Sequence, residues 1–305
     1  MELARRHQPA GLAAPVRLDR VLAPFHRGAG DPTSQRDGDR WWLAWTTPDG
    51  PVSAVLSPGG EVAATAWGPG APWFLDALPD LLGRRDDPSG FVTHHDVVAR
   101  GWASWSSWRA PASRLVLQAL VCAVIEQRVT SREAFASHRR LVRRFGTPAP
   151  GPAGARGMVC PPTAKGWAAV PSWAWLEAGV EQSRSRVVVS AAQVAGRLEE
   201  CADLSHEQAR RRLLALPGVG RWTAAEVAQR ALGDADAVSF GDYHLARNVT
   251  YALTGQIGDD DDLAELLEPY AGHRHRACVI VSATGPAVPR RGPRRTLPTH
   301  LPRRF

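Results

Sequence analysis

The stretch LPGVGRWTAAEVAQRALGDADAVSFGDYHLARN, Leu216 to Asn248, concentrates the residues that could do chemistry. It opens on Leu216-Pro217-Gly218-Val219-Gly220, a turn between two helical patterns. Glycines there permit backbone angles that other residues avoid. They also let a second backbone come close, so that amides at the start of the next helix can donate to a phosphate. The plainer reading is an ordinary helix–helix turn. Trp222 stands just inside that next helix. Its indole face suits an electron-poor or cationic ring, or it packs one helix on another. Asp242 follows Gly241 and precedes the helical run Tyr243-His244-Leu245-Ala246. A helix start favours the ionised carboxylate. Such a group can stabilise positive charge developing beside it, or cap the helix; one carboxylate can do both.

These residues carry a resemblance. LPGVGRWTA followed by SFGDYHL is similar to the Gly/Pro-rich loop and aspartate of the helix-hairpin-helix (HhH-GPD) DNA glycosylase superfamily. Within it, the 3-methyladenine DNA glycosylase II branch matches best. Upstream, AVIEQRVTSREA, Ala123 to Ala134, resembles the family's I-x-x-Q-x-V helix. Downstream, EPYAGHRHRA, Glu268 to Ala277, resembles the basic start of its C-terminal helix. The matching motifs cover roughly residues 110–283. The fold so implied is mainly α with an N-terminal α+β domain, the helix-hairpin-helix DNA glycosylase fold.

The resemblance implies base-excision repair of damaged double-stranded DNA. Asp242 would be the catalytic carboxylate, stabilising the oxocarbenium-like sugar as the base departs. A purine alkylated at N3 or N7 is already cationic and leaves without a second acid. In the family's strand-cutting members a lysine nucleophile follows the hairpin, in the motif GVGRK; Trp222 occupies that position here. A Schiff base needs an amine, and the only lysine, Lys165 in PPTAKGW, lies away from the motif. Hydrolysis without a lyase step is therefore expected, on alkylated purines of the 3-methyladenine and 7-methylguanine type. Trp222, and beside the aspartate Tyr243, would line the base pocket. Gly218, Val219, Gly220 and Arg221 would meet the DNA backbone, with Gln127 and Arg128 at the turn that fills the gap left by a flipped base. The backbone carbonyls of Leu214, Leu216 and Val219 would hold a structural monovalent cation. Two departures stand out: the wedge position is Arg128 where the branch has an apolar residue, and Glu226, one turn after Trp222, is not aromatic. Two other readings remain: a non-catalytic helix-hairpin-helix DNA-binding protein, which needs the hairpin but not Asp242, and a glycosylase for an oxidised or deaminated base.

Behind these residues lie 305 positions, enough for one large or two ordinary domains. The net charge of +7 suits a polyanionic partner, although the near-absence of lysine points equally to a GC-rich genome. Cys122, Cys160, Cys201 and Cys278 are scattered without a C-x-x-C pair. That pattern gives no zinc or iron–sulfur site, and no cofactor is expected to be required. MELARRHQPAGLAAP lacks a signal peptide's apolar core, and no apolar run reaches membrane-span length. The expectation is a cytoplasmic monomer.

The chain divides at RRDDPSG: residues 1–88 as an α+β domain, 89–284 as the helical domain, and 285–305 as a basic Pro/Arg-rich tail. Strands forming a meander are expected over residues 16–70, around the turns Pro48-Asp49-Gly50 and Pro58-Gly59-Gly60, then a short helix Asp76 to Leu82. The apolar run Arg114 to Ile125 reads as a buried helix, Ser131 to Phe145 as an amphipathic one, and GTPAPGPAGARG as a surface loop. Asp234 and Asp236 read as solvated charges. HRHR, His273 to Arg276, reads as a phosphate contact or a solvated face. Trp102, Trp105 and Trp108 at helical spacing read as packing, and Asp259 to Asp262 as a helix cap.

Overall fold

The computed structural model describes residues 2–7, 16–59 and 61–289. The tail beyond 289 and Gly60 of the second turn lie outside the described residues. The meander is present: β2 (Ser34–Asp37), β3 (Arg40–Thr47), β4 (Gly50–Ser57) and β5 (Val62–Trp67) pair antiparallel in sequence order. In β5 Val62, Ala64 and Ala66 are buried and alternate with half-buried neighbours, the period of a sheet with one well-covered face. The sheet gains an edge strand, β1 (Glu2–His7), paired antiparallel with β5. ELARRH has no apolar alternation to announce it. Residues 18–25 form two short helical turns rather than a strand. Leu18, Val21, Leu22 and Phe25 are buried at i, i+3, i+4 and i+7 spacing, and α1 (Leu18–Val21) with a 3-10 turn (Ala23–Phe25) follows from it.

Helix α2 (Ala71–Leu81) covers the sheet, burying Phe74, Leu75, Leu78 and Leu81 beside Trp45. The opposite face, Trp42 and Ala44, is covered by the Pro/Gly segment expected to be a surface loop. Ala149, Ala153, Met158 and Cys160 pack on it, held by β6 (Thr147–Pro148), α6 (Pro152–Ala155) and β7 (Val159–Cys160). Small side chains let that segment lie flat against the indoles.

The helical part begins with α3 (Asp96–Trp105), α4 (Val116–Glu126) and α5 (Ser131–Phe145). A capping box of Thr130 and Glu133 starts α5. Next come α7 (Ala164–Ala168), α8 (Ser172–Ala178), α9 (Gln182–Gln193), α10 (Ala195–Glu199) and α11 (His206–Leu214). Then α12 (Arg221–Val227) widens into a π turn (Ala228–Leu232), followed by α13 (Leu245–Thr254), α14 (Asp260–Leu267) and α15 (Arg274–Thr284). Asp259 and Asp262 form the cap of α14.

Two cores result. One runs from Val116 to Leu232, with every Val, Leu, Ile and Ala of α4 inside it. The other joins Val98 of α3 to residues between Val238 and Val281, with Trp102 and Trp105 packed against it. Because α12 closes the first core and α13 and α15 belong to the second, a seam runs between them. Among the described residues no helix is long and apolar enough to cross a membrane.

Candidate active site

The turn between α11 and α12 is a tight hairpin. Gly218 has φ +86°, and a Cβ there would collide with Val187 Cγ2. Val219 is buried in the first core, between the exposed Gly218 and Gly220. Gly220 precedes α12 with open space around its Cα, and no side chain caps the helix's first amides. The hairpin is tied to the end of α4. Gln127 Nε2 donates to the Gly218 carbonyl at 3.1 Å and to Thr223 Oγ1 at 2.8 Å. Next to Gln127, the exposed Arg128 has φ +57°, a left-handed conformation that costs a non-glycine residue on the order of 1–2 kcal/mol. Leu216 carbonyl accepts the Val219 N–H at 3.0 Å and keeps a second lone pair, so the turn's hard carbonyl oxygens remain suited to a hard cation.

Asp242 sits where the Ser239–His244 loop meets α13. Its Oδ1 accepts from the backbone N–H groups of His244, at 2.8 Å, and Leu245, at 3.0 Å, so from two residues ahead of the N-cap position, His244, the aspartate caps the first amide of α13. Its Oδ2 accepts the indole Nε1–H of Trp222 at 3.3 Å. Capping and chemistry are compatible, since the cap uses one oxygen and orients the other. The loop is fixed from both sides: Gly241 N–H donates to Asp260 at 2.6 Å, and the Arg221 guanidinium lies 5.1 Å over the Phe240 ring. Hairpin and carboxylate are thus one assembly, with Trp222 as the strut between them.

Asp242 lines a cavity of about 460 Å³ in the seam, shared by Glu226, Gln229, Ser239, His275 and Cys278. Trp222 and Tyr243 are not among its lining residues. Trp222 reaches it through Asp242, whereas Tyr243 is 77% exposed with its ring edge on His244. Behind the wall is a charge cluster. Glu226 pairs with Arg230 at 2.5 Å, and Glu126 lies 3.7 Å from Arg27. Burial pushes the Glu126 carboxyl above the usual range; Arg27 and Arg230 oppose that, while Glu226 and Asp242 add to it. Burial also lowers His275 to about 3, helped by the charges of Arg230 and Arg276, so the ring is neutral at physiological pH.

Two sequence expectations change here. Asp236 is not a solvated charge: it accepts the Arg274 N–H at 3.0 Å and pairs with its guanidinium at 2.7 Å, holding the start of α15. Asp234 accepts the Asp236 N–H at 2.9 Å and lies 3.5 Å from His206. HRHR faces inward as well. Arg276 is fully buried against Asp86 at 2.5 Å, and Arg274 is taken by Asp236 and Glu268. Ser239 and Gln229 were not singled out in the sequence, and His275 was read only as part of the HRHR run. Glu226 and Arg230, at i and i+4 of one helix face, were the available signal.

No family model matches the chain. Over 125 residues, 41% of its length, it is 34% identical to the Mycobacterium tuberculosis protein described as "Probable bifunctional transcriptional activator/DNA repair enzyme AlkA". The match spans about a quarter of that relative. Among solved structures, the 3-methyladenine DNA glycosylase of Archaeoglobus fulgidus superposes with TM-score 0.71 at 18% identity, covering 92% of this chain and 97% of that one. The Clostridium acetobutylicum 8-oxoguanine glycosylase/lyase superposes with TM-score 0.66 at 10% identity, covering 88% and 92%. The chain has the fold of the helix-hairpin-helix DNA glycosylases, mainly helical with a small antiparallel sheet, as its motifs implied.

Proposed function

We propose that this protein is a monofunctional DNA glycosylase that hydrolyses the N-glycosidic bond of alkylated purines in double-stranded DNA. The observation that carries it is the bond from the Trp222 indole to Asp242 Oδ2, with Oδ1 fixed by the α13 amides at the mouth of the seam cavity. A carboxylate so held lies ready beside a sugar whose base enters the cavity. As the bond from C1′ to the base nitrogen breaks, its electron pair neutralises the cationic base, and charge appears on the sugar beside Asp242. Water then bonds to C1′ and releases a proton to Asp242 or to solvent. No amine stands at the hairpin to intercept C1′, because Trp222 holds that place.

The turn Gly218–Arg221, exposed at Gly218, Gly220 and Arg221 around the buried Val219, would meet a phosphate and fix position without choosing sequence. Gln127 braces that turn, and Arg128, already in its left-handed conformation, would fill the gap left by the flipped base. Tyr243, exposed beside the aspartate, would meet DNA at the pocket mouth. A monovalent cation on the carbonyls of Leu214, Leu216 and Val219 would add positive charge beside that phosphate.

The test is a panel of duplexes with one defined lesion each, read for base release and for strand cleavage with and without borohydride. Release of 7-methylguanine or 3-methyladenine is expected, leaving an alkali-labile site and no trapped protein. A borohydride-trapped adduct, or release of 8-oxoguanine alone, would contradict the proposal.

A further inference from the structure

One wall of the seam cavity, formed by Glu226, Gln229 and Ser239, presents acceptors and no spare donor. Gln229 Nε2 donates to the Ala237 carbonyl at 2.8 Å and to Ser239 Oγ at 2.9 Å. A carbonyl can only accept, so the amide orientation is fixed, and both of its N–H groups are engaged. Ser239 has one hydroxyl proton and gives it to Glu226 Oε1 at 2.5 Å. Arg230 donates to Glu226 Oε2 at 2.5 Å. Gln229 and Ser239 thus spend their donors on the Ala237 carbonyl, on each other and on Glu226, while Asn248, His275 and Ser282 line other parts of the cavity. The Glu226 carboxylate, with one lone pair free on each oxygen, and the Gln229 carbonyl oxygen remain for a ligand. Asp242 at the mouth adds another acceptor. Glu226 is only 8% exposed, so it is read by whatever fills the cavity rather than by bulk water.

Resting on the glycosylase reading above, we propose that Glu226 and Gln229 are specificity-determining residues that select a guanine-type base over an adenine-type one. The Watson–Crick edge of guanine presents N1–H and N2–H₂, adjacent donors that match adjacent acceptors. Adenine presents one donor, N6–H₂, beside the N1 acceptor, which would face a carboxylate oxygen across the same wall. A site built to bond a donor rejects a base that offers an acceptor there, because both polar groups are then left unpaired. The ion pair with Arg230 fixes the orientation of Glu226. The preference therefore comes from hydrogen-bond pattern and not from charge. The wall does not distinguish 7-methylguanine from other guanine lesions; cationic character enters at bond breaking.

The experiment compares two bases that are both cationic. Single-turnover release of 7-methylguanine and 3-methyladenine is measured, each divided by its spontaneous rate. The parent should favour 7-methylguanine. Glu226→Gln, which keeps the shape but sets an amide donor against the base, should lower that ratio about 10- to 100-fold. Gln229→Leu should lower it less. Because both bases are read on one preparation, loss of folded protein cancels. The same ratio is read as binding by Asp242→Asn, with and without Glu226→Gln, on the two duplexes. A protein that releases neither base thereby still reports on the wall. A ratio unchanged by Glu226→Gln in both assays, or a parent that favours 3-methyladenine, overturns the proposal whatever the fate of the glycosylase reading.

Discussion

Trp222→Phe keeps an aromatic ring at the hairpin and removes only the N–H that meets Asp242 Oδ2 at 3.3 Å. A hydrogen bond to a charged group contributes about 1.5–3 kcal/mol, and this one is long, so base release should fall about tenfold with little loss of stability. A rate equal to the parent's in single-turnover assays would remove the strut from the account. At this scale the sequence was informative where a residue's partners are local. Asp242 could be singled out because its cap partners lie two and three residues on. Ser239 could not, because its meaning depends on Glu226, thirteen residues earlier on another element. Arg276 misled for the same reason: a basic residue among basic residues suggests solvent, and its partner Asp86 stands 190 positions away.

The helices were legible where burial imposes one period, as in α4, whose eleven residues Val116–Glu126 are almost all buried. Strand β1 was not, because an edge strand pairs through its backbone and ELARRH shows no alternation. The hairpin was legible from its glycines, but the two are not equivalent. Gly218 needs φ +86° and has Val187 against it, whereas a Cβ at Gly220 meets open space. Gly218→Ala should therefore cost on the order of 1–3 kcal/mol of stability, read as a lower unfolding midpoint. Gly220→Ala should fold as the parent does and weaken binding to undamaged and abasic-analogue duplexes alike, because the turn touches phosphate only. Salt dependence should change little, since no charged side chain is lost. If Gly220→Ala binds both duplexes as the parent does, the hairpin is a structural turn and DNA meets another surface.

On the scale of the whole molecule, the cavity exists because two cores meet. Glu226 and Gln229 come from the end of the first, and Ser239, Asp242 and His275 from the second. No periodicity marks such a seam, which is why the sequence indicated the carboxylate and the hairpin but not the wall between them. The seam is held shut by contacts across it, among them the Ser239–Glu226 and Trp222–Asp242 bonds. Asp242→Asn keeps an oxygen to cap α13 and removes the negative charge from the cavity mouth. Measured on a duplex carrying a single 7-methylguanine, it should release the base about 100- to 1000-fold more slowly than the parent, with folding and binding to an abasic-site analogue retained. Release at the parent's rate by the folded variant would contradict the account.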